Sequence, residues 1–463
     1  MLPKAVSEYL EANRDAHLAK LKEFIAFPSI ANSRPEQCAR CAEWLAGHME
    51  SLGLSARVEA GGGPPNVIAE ARVDDAAPTL LIYGHYDVQP PEPLDEWRTE
   101  PFDAVVTDRC LWGRGASDDK GQLFAHLAAI EAWQRAGGGL PVNVKLLVEG
   151  AEEIGSPHME AFLSAHAEEL SADAAVISDG EFFADGVPAI TYALRGLAYV
   201  EVTFRGPAAD IHSGLHGGAV TNPIDSLARL VGALHDADGR VALEGYYDDV
   251  LALSDDERRR WRELPFDAAA YGRSLGLDAL GGGEAGFTPL ERRWGRPTLD
   301  CNGIVGGYTG EGSKTIIPAS ASVKVSMRLV PDQDPEKVVA AFRRFVAAHT
   351  PRGIASEVKV NAEARPVLLA AESAAMDAGR AALTEAFAAA PAMIRCGASV
   401  PITELIQRLL GLDAVLMGFG LPDDNLHSPN ERFRLGQLFG GMTACAAFLN
   451  RLREGLTRGG KSG

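Results

Sequence analysis

Cysteine is scarce in this chain, at six residues among 463. That is too few for a disulfide framework of the kind that staples small secreted domains. Positive charge is also short: 44 Lys plus Arg stand against 63 Asp plus Glu, a net charge of −19. Nucleic acids and anionic membrane surfaces are bound through clustered Lys and Arg, so neither is an expected partner. No apolar run approaches the roughly 20 residues of a membrane-spanning helix. The N-terminal stretch has no secretory core either, because Leu10, Leu18, Leu21, Phe24 and Ile25 are interleaved with charged residues, as on an amphipathic helix. A cytoplasmic, reduced protein is the expectation. Apolar side chains are not lacking. At 46% hydrophobic and 23% charged, the composition is that of a folded globular protein and excludes a disordered one. The length exceeds what one hydrophobic core serves, so two or three domains are expected.

The apolar pattern sorts the chain into three stretches. Residues 1–194 alternate short apolar runs (Thr79–Tyr83, Val142–Val148, Ala174–Ile177) with helical periodicity (Pro35–Leu52, Gln122–Arg135, His158–Leu170). This alternation predicts an α/β layer with a largely parallel sheet. From Arg195 the character changes. Leu197–Phe204 and Val323–Leu329 alternate apolar and polar residues, and helical stretches occur at Pro223–His235 and Pro335–His349. Half-buried strands with helices on one side predict an α+β domain over 195–362, inserted into the first. Residues 363–463 return to the first pattern, with Ala375–Ala388, Ala414–Gly418 and Gln437–Leu452, and complete the α/β domain. Leu251–Pro297 is charged and irregular, and no element is assigned to it. Cys38 and Cys41 form a C-x-x-C, but they share a helical stripe with Leu45, Met49 and Leu52 and are expected in the core.

Four polar clusters follow apolar runs or glycines. His85 and Asp87 leave the end of the Thr79–Tyr83 run. Asp118 and Asp119 follow Gly113-Arg114-Gly115, ahead of a helix. Glu152 and Glu153 follow the Val142–Val148 run, and Asp179 follows Ala174–Ile177. Ligands of open α/β sheets bind outside the carboxyl ends of the strands, where these residues would gather. Each cluster alone also reads as a cap or a solvated turn. Together they give an imidazole and several carboxylates without thiolate, a donor set that suits Zn²⁺, Mn²⁺ or Co²⁺. His427, within Asn425–Glu431, supplies a second imidazole.

With those motifs, Gly84-His85-Tyr86-Asp87-Val88-Gln89-Pro90 through Asp118-Asp119-Lys120-Gly121, Glu152-Glu153, Asp179 and His427, the chain resembles the M20 metallopeptidases. Within them it looks most like the dipeptidase branch that includes carnosinases and cytosolic nonspecific dipeptidase. The resemblance runs from about Phe24 to Leu452. It implies a zinc-exopeptidase-like catalytic domain and, at 195–362, a lid and dimerisation domain through which the chain would form a homodimer. It implies two divalent metal ions per chain, with Zn²⁺ expected and Mn²⁺ or Co²⁺ as alternatives. Asp118 would bridge them, with His85 and Asp179 on one ion and Glu153 and His427 on the other. Glu152 would be the general base and Asp87 the partner of the His85 imidazole. The peptide between Asp118 and Asp119 would be cis.

In the inserted domain, His212 of Asp210-Ile211-His212-Ser213-Gly214 matches the residue that contacts the scissile carbonyl, often across the dimer. Arg328 matches the arginine that holds the substrate's carboxylate, and Thr315 and Ser399 are further candidates for substrate contact. The implied activity is hydrolysis of dipeptides with a free C-terminal carboxylate. An N-acyl-amino-acid deacylase would use the same metals and clamp. A phosphate loop at Gly306–Thr315 is a poor match, because Ser313 separates Gly312 from Lys314 and Ile316-Ile317-Pro318 follows where a helix should begin.

Overall fold

The computed structural model describes residues 1–398 and 400–459, without the side chains of 457–459. The described chain divides into two compact units. One comprises Met1–Tyr192, Leu369–Ile394 and 401–459, and the other Ala193–Leu368 with Arg395–Val400.

The first unit is built on a sheet whose strands run, in spatial order, Ser55–Glu59, Asn66–Ala71, Asn143–Glu149, Thr79–His85, Ala174–Ile177, Ala414–Leu416 and Ala189–Leu194. The four strands from Asn143–Glu149 to Ala414–Leu416 are mutually parallel, and the flanking pairs are antiparallel. Parallel strands are covered on both faces, which is why these segments read as unbroken apolar runs. Ala174–Ile177 is buried at every position. The helices Pro35–Ser51, Lys120–Ala136, Ala374–Phe387 and Leu435–Gly459 contribute to the core, with Cys38 and Cys41 inside it. Trp133 Nε1 donates to the Ala446 carbonyl at 3.0 Å and ties two of these helices together. The helical expectation at His158–Leu170 is shortened to Met159–Ala165.

The second unit holds an antiparallel sheet in the order Thr298–Gly306, Ser320–Leu329, Gly196–Arg205, Ala355–Ala364. Ala198, Val200, Val202 and Phe204 face a core closed by the helices Pro223–Gly232 and Pro335–Ala348, and the intervening residues lie on the other face. This is the alternation read from the sequence. Leu251–Pro297, unassigned from sequence, contains the short helices Asp255–Glu263, Ala268–Ser274 and Pro289–Trp294. Two of them start with capping boxes, Ser254 with Glu257 and Thr288 with Glu291, which satisfy N–H groups that would otherwise be orphaned. No helix of the described residues is long and apolar enough to cross a membrane.

Candidate metal centre

In the first unit the parallel strands deliver side chains to one edge of the sheet. His85 ends the strand Thr79–His85, Glu152 and Glu153 lie in a 3₁₀ turn after Asn143–Glu149, and Asp179 follows Ala174–Ile177. Asp118 and Asp119 come just before the helix Lys120–Ala136, and the peptide between them is cis. Gly121 makes this entry possible, since a Cβ there would lie 2.0 Å from the Ala116 carbonyl oxygen.

Two groups of ligand atoms result: His85, Asp118 and Asp179 in one, and Asp118, Glu153 and His427 in the other. Within each group the ligand atoms all lie within 4.8 Å of one another. His85 Nε2 is 3.2 Å from Asp118 and 3.8 Å from Asp179. His427 Nε2 is 2.9 Å from Asp118 and 3.2 Å from Glu153. His85 is wholly buried, yet its Nε2 makes no hydrogen bond. A buried nitrogen without a hydrogen bond beside two carboxylates suits a cation, and imidazole with carboxylate oxygen is a donor set for borderline and hard divalent ions. The residues therefore fit two divalent ions sharing Asp118.

The electrostatics have the same origin. Burial works against ionisation of Asp118, but the imidazoles of His427 and His85 hold its carboxyl below the usual range. Burial, reinforced by Asp118 and Glu153 against His85 and His427, pushes Asp179 up to about 7. Glu152 is pushed up to about 8 by burial and by Asp179, Glu153 and Asp118, against His85. These carboxyls crowd one another, and a cation is what relieves such crowding.

Supporting contacts fix the ligands. His85 Nδ1 lies 3.0 Å from the main-chain oxygen of Asp87 and 3.5 Å from its carboxylate. The Asp87 carboxylate accepts the N–H groups of Glu152 at 3.1 Å and Glu153 at 3.0 Å. Asp87 thus serves the His85 ring chiefly through its backbone, while its side chain anchors the glutamate turn, a second task the sequence did not suggest. Sequence reasoning also missed Gln89, whose Nε2 donates to Glu153 at 2.8 Å and whose N–H donates to it at 3.1 Å. The Gly84–Pro90 motif contains Gln89, but no spacing marked it as a partner of Glu153. Asp119 accepts the His85 N–H at 3.1 Å.

The remaining predicted residues lie in the second unit. His212 lies on a small two-stranded sheet and Thr315 just before its other strand: His212 pairs with Ile316, and the Ser213 N–H donates to the Thr315 carbonyl at 3.0 Å. His212 is exposed, and its Nδ1 accepts the Gly214 N–H. Arg328 lies on Ser320–Leu329 opposite Leu197 and Thr298. Burial and the nearby Arg328 guanidinium lower Arg195 to about 10, so positive charge is concentrated there. Ser399 lies outside the described residues.

Comparison with known proteins decides the family. The sequence profile of Peptidase family M20/M25/M40 matches residues 81–451. The chain belongs to this family. It is 30% identical to the Cys-Gly metallodipeptidase of Schizosaccharomyces pombe, over 96% of this chain and 97% of that protein. It is also 30% identical to the human Beta-Ala-His dipeptidase, over 98% of this chain and 93% of that one. Among solved structures, an M20 family metallo-carboxypeptidase from Sulfolobus solfataricus superposes with a TM-score of 0.84 at 34% identity, covering 95% and 99% of the two chains. The M20 chain is thus a metallopeptidase, with a mixed α/β fold like that of its solved relatives.

Proposed function

We propose that this M20 metallopeptidase is a dipeptidase that hydrolyses the amide bond of substrates with a free C-terminal carboxylate. The observation that carries the reading is the pair of ligand groups joined through Asp118, with the carboxyl of Glu152 beside them. The fission-yeast and human relatives, both named dipeptidases, favour a peptide over the N-acyl amino acid of a deacylase. Zn²⁺ is the ion the donor set favours, with Mn²⁺ and Co²⁺ as alternatives.

In this reading His85, Asp118 and Asp179 would hold one ion, and Asp118, Glu153 and His427 the other. When bound, two such cations would lower the pKa of a water and polarise the carbonyl. Glu152 takes a proton from the attacking water and returns it to the departing amine, which amide cleavage requires because an amide anion leaves poorly. Asp87 orients His85 and the glutamate turn. His212 donates to the developing oxyanion, Arg328 holds the substrate carboxylate by a two-pronged contact, Ser399 contacts the same end, and Thr315 is a further substrate contact. A homodimer is supported by the edge strand Thr298–Gly306, which leaves Ile304 and Val305 exposed. A cytoplasmic location is supported by six free cysteines, four of them buried.

Arg328→Ala tests the substrate class. kcat/KM should fall about 30-fold or more for free dipeptides and change little for C-terminally amidated ones. Equal losses on both would show that Arg328 does not read the carboxylate. Stripping the metals with a chelator should abolish turnover, and Zn²⁺, Mn²⁺ or Co²⁺ should restore it.

A further inference from the structure

Glu431 lies four residues beyond His427 and has no role in the mechanism above. Its carboxylate is wholly buried. One oxygen accepts Arg114 Nη1 and the Gly115 N–H, both at 2.9 Å. The other accepts the N–H groups of Ser117 at 2.9 Å and Asp118 at 3.1 Å. Its main-chain oxygen accepts the Gly113 N–H at 3.0 Å. The segment that carries Asp118 is therefore wrapped around this one residue. Arg114, also buried, extends the link: its Nη2 donates to the Ser428 carbonyl at 3.2 Å, next to His427.

The His427 loop needs such a link. Asn425, His427 and Asn430 all have φ near +60°, a region that non-glycine residues enter at a cost. The imidazole is 56% exposed, so little packing holds it. We propose that Glu431 is a positioning residue that locks the Asp118 turn in register with the His427 loop, so that the Asp118–Glu153–His427 group depends on it more than the His85–Asp118–Asp179 group does. The asymmetry follows from connectivity. In the first group only Asp118 is held by Glu431, because His85 and Asp179 are placed by the ends of their strands. In the second, Glu431 holds Asp118 and Arg114 holds the main chain of Ser428, the residue after His427.

The inference rests on the two-ion reading and is tested by metal affinity. Zn²⁺ is titrated into chelator-stripped protein by competition with a chromophoric chelator. His427→Ala isolates the first group and Asp179→Ala the second. Adding Glu431→Gln should weaken Zn²⁺ binding by about 10- to 100-fold in the Asp179→Ala background and by clearly less in the His427→Ala background. Equal weakening in both, or none in either, would overturn the proposal; equal weakening is what a merely structural role predicts. Glu431→Gln leaves Arg114 as an uncompensated buried charge and can unfold the chain. The double variant Arg114→Met/Glu431→Gln removes that charge as well as one of the two acceptor oxygens, and the same selective loss is expected of it. Wild-type protein that fails to bind two Zn²⁺ would instead overturn the two-ion reading.

Discussion

The two ligand groups share Asp118 but are built by different means. The His85–Asp179 side stands on the ends of adjacent parallel strands, and His85 is wholly buried. The Glu153–His427 side stands on a 3₁₀ turn and a loop with left-handed backbone, and His427 is more than half exposed. Hydrogen bonds to Asp87 and from Gln89 hold the turn, and Arg114 holds the loop beside His427. A ligand at a strand end inherits its place from the sheet, whereas a ligand on a loop has its place imposed by side chains from elsewhere in the chain. The second arrangement costs more residues and leaves that half of the site more open.

The largest effect is expected where the two groups meet the chemistry and neither is broken. Glu152→Gln should retain both ions and the fold while kcat falls by about 10²- to 10⁴-fold. Near-wild-type turnover with full metal content would remove Glu152 from the role of base. A direct contrast follows from His85→Ala and His427→Ala. Each should leave one ion per chain by elemental analysis. In chelator-stripped protein, His85→Ala should cost about 1–3 kcal/mol of stability, since it strips buried carboxylates of a partner. His427→Ala should cost less, about 1 kcal/mol or below, because its ring also pairs with Asp118 but is more than half exposed to solvent screening. Equal destabilisation by the two would break the comparison between strand-end and loop ligands.

Gln89→Ala sharpens it further. The main-chain N–H that reaches Glu153 remains, but the side-chain donor is lost. About a tenfold loss of Zn²⁺ affinity is expected in the second group, with the first unchanged. The same Asp179→Ala and His427→Ala backgrounds would separate the two groups, and a loss confined to the first would contradict the assignment.

The same contrast governs what was legible in the sequence. The parallel strands showed as apolar runs because both faces are covered, and the polar residues just after them marked the edge where His85, Asp118, Glu152, Glu153 and Asp179 gather. The half-buried strands at Gly196–Arg205 and Ser320–Leu329 showed as alternation. His427 was found only because the donor set lacked a second imidazole. The roles given to Arg328, Thr315 and His212 came from resemblance, since no spacing distinguishes a substrate-binding arginine from a strand ion pair. Gln89, Glu431 and the side-chain task of Asp87 left no periodic signal, because each acts on a residue brought near only by folding: Glu431 reaches across 313 positions to the Asp118 N–H. The helices in Leu251–Pro297 are short, with apolar positions too few to show a period. Their capping pairs, Ser254 with Glu257 and Thr288 with Glu291, were the readable signal.

The smallest expected effect probes the support behind the strand-end group. His126, on the helix Lys120–Ala136, shares a hydrogen bond of 2.8 Å with Ser178 Oγ, immediately before Asp179. Burial lowers His126 to about 3, so the folded chain keeps it neutral while the unfolded chain protonates it below about 6.5. Between those values the unfolded state binds the extra proton, and stability falls as pH falls. One such group contributes a slope of at most about 1.4 kcal/mol per pH unit. In urea titrations of chelator-stripped protein between pH 6 and pH 4.5, His126→Gln should lose stability less steeply than wild type by up to that amount. Parallel pH profiles would show that His126 is not held neutral behind Asp179.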